Sequence, residues 1–404
     1  MQKVLLRELP DAALTGRRVI VRVDYNVPIE AGEVTDDSRI RATLPTLHYL
    51  LERGARLILL SHLGRPRGEW NPKYSLAPVA TRLRELVAAP VRFVEDVAGP
   101  DAHAAVDALA DGEILVLENV RFLQGEEAND PKLGEALAAF GDVFVNDAFG
   151  AAHRAHATTS GLPDAMRANG CPAVAGCLME AELRFLGAAL ADPERPFTAV
   201  LGGAKISGKI DVIESLLPRV DRLIIGGAMA NTFLRALGLE TGKSLIEPDR
   251  LEMAADLLRR AGPRMVLPVD CVVAAEAERD QEIRIVERSD VPADLRILDI
   301  GPASISSFAE LIGQSRTVLW NGPMGFFEIE DFATGTRGVA SAIAAATDHG
   351  AVTIAGGGDT AAAIDEARLG GRFTHVSTGG GASLEFLEGR TLPGVAALDD
   401  AEVS

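Results

Sequence analysis

Two lysines stand four residues apart in Gly203-Ala-Lys-Ile-Ser-Gly-Lys209, and of the chain's 40 Lys and Arg residues only six are Lys. At a glycine-rich turn between a strand and a helix, Lys205 and Lys209 are two point charges suited to a phosphoryl group in transfer; a pair of solvated surface lysines is the plain alternative. The segment fills the first seven positions of G-x-x-x-x-G-K, but Ile210 stands where a P-loop ATPase needs the Ser or Thr that holds magnesium. A second glycine turn, Gly356-Gly-Gly-Asp-Thr360, opens an Ala-rich stretch. Amides exposed at a helix N-terminus hold phosphate, reinforced by the helix dipole, and Asp359 beside them can take the accompanying magnesium; alternatively Asp359 is an N-cap. Gly356-x-Gly358-x-x-Ala361 also fits the dinucleotide fingerprint loosely, without the acidic residue about 20 positions on that a nicotinamide-dependent dehydrogenase places on the ribose. His153-x-x-His156 has a metal-like spacing, but with no nearby Cys and with Arg154 beside it, anion binding or helix capping is the better account. No G-x-S-x-G elbow and no His–Cys pairing supports covalent hydrolase chemistry.

These residues must be held by elements, and the sequence alternates short β-branched runs with Ala/Leu-rich amphipathic stretches throughout, the pattern of an α/β protein with parallel sheets. Strands are expected at 19–27, 57–60, 91–94, 114–117 and 143–146, and again at 198–201, 223–225, 265–269, 297–300, 318–320 and 352–355. About ten strands is the usual limit of one twisted open sheet, so two sheets in two domains are expected, with a seam near 170–176 and a helix over 180–190. Ligands of open α/β sheets bind beyond the carboxyl ends of the strands. There the halves differ. The first offers Asp24, Asn26, His62, Arg65, Asn119, Arg121, Asn146, Asp147, His153, Arg154 and His156; the second offers Gly202, Gly203, Gly226, Gly227, 356–358 and 379–381. Forked side chains suit a small, highly charged metabolite, whereas glycines let a base and a phosphate chain approach bare backbone. Trp320 reads as core, with Asn321 and Glu328 polar enough to touch a ligand.

Composition narrows the partners. The chain has 404 residues, 40 Lys+Arg against 58 Asp+Glu and a net charge of −18, so neither nucleic acid nor an anionic membrane is the expected partner. Hydrophobic residues make up 47% and charged ones 24%, as in folded globular proteins. Cys171, Cys177 and Cys271 form no C-x-x-C pair, and a reducing cytoplasm fits them best. Residues 1–10 include Lys3, Arg7 and Glu8, leaving too short an apolar stretch for a signal peptide, and no run of about 18 apolar residues is present to span a membrane.

Eight segments together resemble one family: Arg22-Val-Asp-Tyr-Asn-Val-Pro28, Ser61-His-Leu-Gly-Arg-Pro66, Leu117-Glu-Asn-Val-Arg-Phe122, Val145-Asn-Asp-Ala-Phe-Gly-Ala-Ala-His-Arg-Ala-His156, Leu201-Gly-Gly-Ala-Lys205, Trp320-Asn-Gly-Pro323, Gly356-Gly-Gly-Asp-Thr360 and Ser377-Thr-Gly-Gly-Gly-Ala382 look like phosphoglycerate kinase, in that family's order and across nearly the whole chain. The resemblance implies two Rossmann-like domains, each a parallel sheet with helices on both faces, joined by a helical hinge. The N-terminal domain, 1–175, would bind 3-phosphoglycerate or 1,3-bisphosphoglycerate through Asp24, Asn26, Arg39, His62, Leu63, Gly64, Arg65, Arg121 and Arg154. The C-terminal domain, 176–389, includes a connector helix at about 180–190. It would bind ADP or ATP through Gly203, Lys205, Lys209, Gly227, Asn321, Glu328, Gly357, Gly358, Asp359 and Thr360, with Mg2+ on Asp359. The tail, about 390–404, would return to the first domain. Arg39, Lys205, Lys209, Gly357 and Gly380 would act on the transferring group, in a cleft closed by domain motion of a cytoplasmic monomer. Three positions depart from the common pattern: Gly208 replaces an acid, Tyr25 a Phe, and Leu123 a His found in some relatives. A differently catalytic nucleotide binder, or an inactive relative that only binds, are the competing readings; an inactive relative would be expected to have lost a lysine or Arg39, and this chain has both.

Overall fold

The computed structural model describes residues Gln2–Ala401, in two compact units: one ends at Leu183 and is rejoined at Thr391, and the other is Arg184–Arg390. The first unit is built on six parallel strands in the spatial order Val91–Val94, Ile114–Leu117, Arg56–Leu60, Arg18–Arg22, Val143–Asn146, Ala173–Ala175. Val19, Val21, Leu57 and Leu59 pack with Ile40, Leu47, Leu50, Val79 and Leu83 of the helices Ser38–Leu51 and Ala77–Leu86. Ile20, Ile58, Leu115 and Phe144, alternating to the opposite face, are equally buried. A sheet covered on both faces needs apolar residues at successive positions, which is why these strands read as continuous runs.

The second unit repeats the plan with six parallel strands in the order Met265–Val266, Arg222–Ile225, Phe197–Leu201, Thr317–Asn321, Val352–Gly356, His375–Val376. Trp320 lies in its core among Phe308, Ile343 and Ile364, with its indole N–H donated to the Gly322 carbonyl at 2.9 Å.

Several strand expectations need correction. The run 297–300 belongs not to a parallel sheet but to an antiparallel one, Arg284–Glu287, Asp270–Ala274, Arg296–Ile300, in which Cys271 faces Ile300. Arg284–Glu287 is a largely exposed edge with no apolar run, and that hid the sheet. The strand expected at 19–27 stops at Arg22, and that at 265–269 at Val266, ahead of Pro268, which has no N–H for a ladder. Ala173–Ala175 falls inside the segment expected as a seam and is instead the sixth strand of the first sheet. The helix expected over 180–190 spans Cys177–Ala191.

The start of that helix is set from outside it. Asp147, at the end of Val143–Asn146, accepts the amides of Leu178 at 2.9 Å and Met179 at 3.2 Å on Oδ1. A side chain at Gly176 would put its Cβ 2.3 Å from the same oxygen. The C-terminal segment is pinned by Lys3, whose ammonium donates to the carbonyls of Ala396 at 3.1 Å and Leu398 at 2.8 Å and to Asp400 Oδ1 at 2.7 Å.

Burial pushes the Asp147 carboxyl up to about 7, against the opposing pull of Thr46 and the two amides. An unfolded aspartate titrates near 4, so between about pH 4 and 7 the native state holds a proton that the unfolded chain has released, and stability falls as pH rises through that window. Asp147→Asn keeps the oxygen that caps the helix and removes the charge. Its melting temperature is expected to exceed that of the parent at pH 8, with the gap shrinking toward pH 5; parallel pH profiles for the two proteins would refute this assignment.

Candidate active site

In the first unit the polar residues gather where the strands end. The turn after Arg18–Arg22 carries Asp24, whose carboxylate is held by Arg39 from the first turn of Ser38–Leu51. His62, just past Arg56–Leu60, places Nδ1 3.8 Å from Asp24 Oδ1 and 3.3 Å from Arg22 Nη2. Asn26 accepts the Gly64 amide at 2.9 Å, and Gly64 in turn accepts Arg121 Nη1 at 2.8 Å. Asn119 donates to the Leu63 carbonyl at 2.7 Å, so Asn26, Leu63, Gly64 and Arg121 form one hydrogen-bonded loop cluster. Arg154 is exposed but close enough to act on the Arg121 guanidinium. Arg65 is exposed and forms no ion pair among the described residues. His156 turns inward toward Glu126, 4.0 Å away.

Electrostatics divide these groups. Burial opposes ionisation of Asp24, yet the facing His62, Arg39 and Arg22 together hold its carboxyl below the ordinary value. Burial drives the His62 imidazole well below its ordinary value, outweighing Asp24, and Arg22, Arg121 and Arg39 push the same way. His62 is therefore neutral at pH 7, where the guanidiniums of Arg39 and Arg22 are the fixed charges facing Asp24. His156 is pushed down to about 4 by burial and then by Arg121, Arg22 and Arg154. The permanent positive charge of this cluster is thus arginine.

In the second unit the glycine turns surround a cavity of about 390 Å³ lined by Gly203, Gly227, Leu298, Met324, Glu328 and Asp359, among others. Gly227 cannot be replaced: its φ is 65°, and a Cβ there would lie 2.5 Å from the Gly203 nitrogen. Lys209, half-buried just before Ile210–Leu216, donates to Asn321 Oδ1, and Asn321 Nδ2 donates to the Gly356 carbonyl at 2.8 Å. Gly357 precedes the helix Gly358–Glu366, with Asp359 in its first turn rather than at the cap. The first amides of such a helix have no carbonyl four residues back and are free to meet an anion. Gly380 likewise precedes Gly381–Leu387. Lys205 and Glu328 are exposed. The Thr360 hydroxyl, by contrast, is fully buried and accepts the Gly322 amide at 2.8 Å, so its side chain is committed to the fold.

Other residues of these sites escaped the sequence reading. Leu298 and Met324 form apolar wall in the cavity, and Met324 follows directly on the Asn321-Gly-Pro323 turn that did attract notice. Arg22, an arginine inside an apolar strand, was the signal for a buried network with Thr158 and Glu126. Glu126, in Gly-Glu-Glu127, is fully buried, and nothing in its immediate sequence marks it as such.

Forked cations on one α/β unit, and glycine turns with a lysine and an aspartate around an apolar cavity on the other, define an enzyme of the phosphotransferase class. A family model described as phosphoglycerate kinase matches residues 9–390. The chain is 56% identical over 402 residues to the phosphoglycerate kinase of Chloroflexus aurantiacus, covering 98% of this chain and 99% of that one. It is 54% identical over 404 residues to that of Chlorobaculum tepidum, covering 99% and 100%. Among solved structures, phosphoglycerate kinase from Coxiella burnetii superposes with a TM-score of 0.86 at 40% identity, and that from Pyrococcus horikoshii with 0.84 at 33%, each over 98% of both chains. The chain belongs to the phosphoglycerate kinase family.

Burial brings the Lys209 ammonium down from 10.5 to about 8, against the pull of Asp359. Acylation of Lys209 by an amine-directed reagent, followed by peptide mass spectrometry, is expected to have a pH midpoint near 8. A midpoint above 10 would contradict the burial of this amine.

Proposed function

We propose that the chain catalyses reversible transfer of a phosphoryl group between 1,3-bisphosphoglycerate and ADP, giving 3-phosphoglycerate and ATP. The observation that supports this reading is the pairing of Lys209 with Asn321 at the Gly356–Gly357 turn, next to the helix whose Asp359 lines a base-sized cavity. Phosphoglycerate is assigned to Asp24, Asn26, Arg39, His62, Leu63, Gly64, Arg65, Arg121 and Arg154. The nucleotide is assigned to Gly203, Lys205, Lys209, Gly227, Asn321, Glu328, Gly357, Gly358 and Asp359, and to the backbone of Thr360. The reading takes the chain as a monomer of a reducing cytoplasm; its three thiols are unpaired, and no described helix is long and apolar enough to cross a membrane.

Phosphoryl transfer passes through a loose transition state with negative charge on three equatorial oxygens, so the protein's work is alignment and neutralisation. Arg39 uses one of its five N–H donors on Asp24 and retains the others for the transferring group. Lys209 and Lys205 approach that group as point charges, and the amides around Gly357, Gly358, Gly379 and Gly380 add neutral donors. Asp359, a carboxylate in the first turn of Gly358–Glu366 that lines the cavity, fits Mg2+, which keeps several waters and shares phosphate oxygens rather than filling a protein cage. Held there, the ion would supply neutralisation of phosphate charge.

A coupled assay for ATP formation from 1,3-bisphosphoglycerate and ADP tests the reading, and absence of turnover would end it. Arg39→Ala is expected to lower kcat by about 10²-fold or more with ADP affinity unchanged, because its donors act on the transition state; a kcat within a few-fold of the parent removes Arg39 from the chemistry. Chelation of divalent cations is expected to stop turnover, with magnesium restoring it. Asp359→Asn should then need about tenfold or more magnesium for half-maximal rate, while 3-phosphoglycerate affinity stays at the parent value. An unchanged magnesium requirement would relocate the metal.

A further inference from the structure

Arg22 is wholly buried beneath the first unit's polar cluster. Its Nε donates to Thr158 Oγ1 at 2.8 Å, one terminal nitrogen donates to the Val23 carbonyl, and the other meets His62 Nδ1 at 3.3 Å. Thr158 donates its hydroxyl to Glu126 Oε1 at 2.6 Å and its amide to Oε2 at 2.9 Å, and Glu126 Oε1 lies 4.0 Å from the guanidinium. Both charges are shielded from solvent, so Arg22 cannot swing away without leaving each unpaired.

This arrangement decides where the His62 proton sits. A guanidinium has N–H donors and no acceptor, so the ring nitrogen facing it must offer a lone pair. The competing partner of Nδ1 is Asp24 Oδ1, and 3.8 Å is too long for a hydrogen bond. A proton on Nδ1 would form no hydrogen bond with Asp24 and would point at a cation. In the neutral ring the hydrogen is then on Nε2, which has no partner among the described residues. We propose that Arg22 is a positioning residue that locks His62 in the neutral Nε2–H tautomer, so that His62 meets phosphoglycerate as a hydrogen-bond donor and not as a cation; the substrate half of this statement rests on the function proposed above.

The groups facing His62 are consistent with the lock. Burial acts most strongly against the imidazolium; Asp24 favours it, and Arg22, Arg121 and Arg39 oppose it. A neutral donor leaves the charge of the site constant from about pH 6 to 8, so anion selection falls to guanidiniums that do not titrate.

Long-range proton–nitrogen correlation spectra of the full chain between pH 5.5 and 8 read the tautomer directly. The expected result is a pyridine-type Nδ1 and a pyrrole-type Nε2 at His62, unchanged over that range; an imidazolium or an Nδ1–H ring would overturn the proposal. In Arg22→Met/Glu126→Gln, which removes both buried charges together, the donor facing Nδ1 is gone and His62 is expected to show an admixture of the Nδ1–H tautomer. Thr158→Val, which releases Nε without removing a charge, should shift the same resonances in the same direction and serves if the double variant does not fold. Variants that lose melting temperature but keep the parent His62 spectrum would leave Arg22 a structural role only and overturn the lock. A parent chain showing the expected tautomer but no phosphoglycerate binding would overturn the proposed function and leave the tautomer standing.

Discussion

Covering a parallel sheet on both faces leaves one place for polar chemistry. Val19, Ile20, Val21, Leu57, Ile58 and Leu59 are all withdrawn from solvent, whichever face they point to. A ligand-binding side chain can therefore stand only where the strand has ended, and Asp24, His62, Asn119, Asp147, Gly203, Gly227 and Gly357 all stand there. The rest of the architecture follows from this constraint. Helices must return the chain to the opposite end of the sheet after every strand, and each return delivers one more turn to the same edge.

The two units use that edge with opposite economies of charge. The first gathers side-chain cations and must neutralise those it buries, which is what Glu126 does for Arg22 and Asp24 for Arg39. Isolated, such charges would each cost several kcal/mol to bury. Linked through Thr158 they form a rigid floor, and the exposed guanidiniums of Arg65 and Arg154 are left for an incoming anion. The second unit exposes backbone instead. Gly203 and Gly227, both at positive φ, line the cavity with bare backbone. Asn321 ties these turns together by accepting from Lys209 and donating to Gly356. A flat base and a flexible phosphate chain need a smooth wall and amides, whereas a compact trianion needs forks.

What could be read in the sequence was what depends on local pattern: the apolar runs, the glycine turns and the polar residues directly after each run. What could not be read depends on partners distant in sequence. Asp147 caps a helix 31 residues further on, and only the folded sheet end brings it to the Leu178 amide. Glu126 and Glu127 are adjacent and chemically alike, yet one is enclosed beneath Thr158 and the other is exposed enough to reach Arg121 from outside. The antiparallel sheet escaped because its edge, Arg284–Glu287, carries charge at both ends and little burial between. At Thr360 the residue type alone does not reveal that the hydroxyl accepts the Gly322 amide, 38 residues back in the chain.

The net charge of −18 is compatible with two polyanionic substrates once the arginines are sorted by partner. Many are engaged by exposed carboxylates, as in Arg56 with Asp111, Arg195 with Asp221 and Arg337 with Glu330. Such surface pairs contribute little to stability and cancel in the far field. Surface acids more than about 8 Å from a bound anion are screened at physiological salt, so an anion at a strand end responds to the cations in its first shell. In the first unit those cations are arginines, with His62 held neutral among them. The charge that counts for recognition is local, permanent and set by where the strands end, while the excess of acid lies on the rest of the surface.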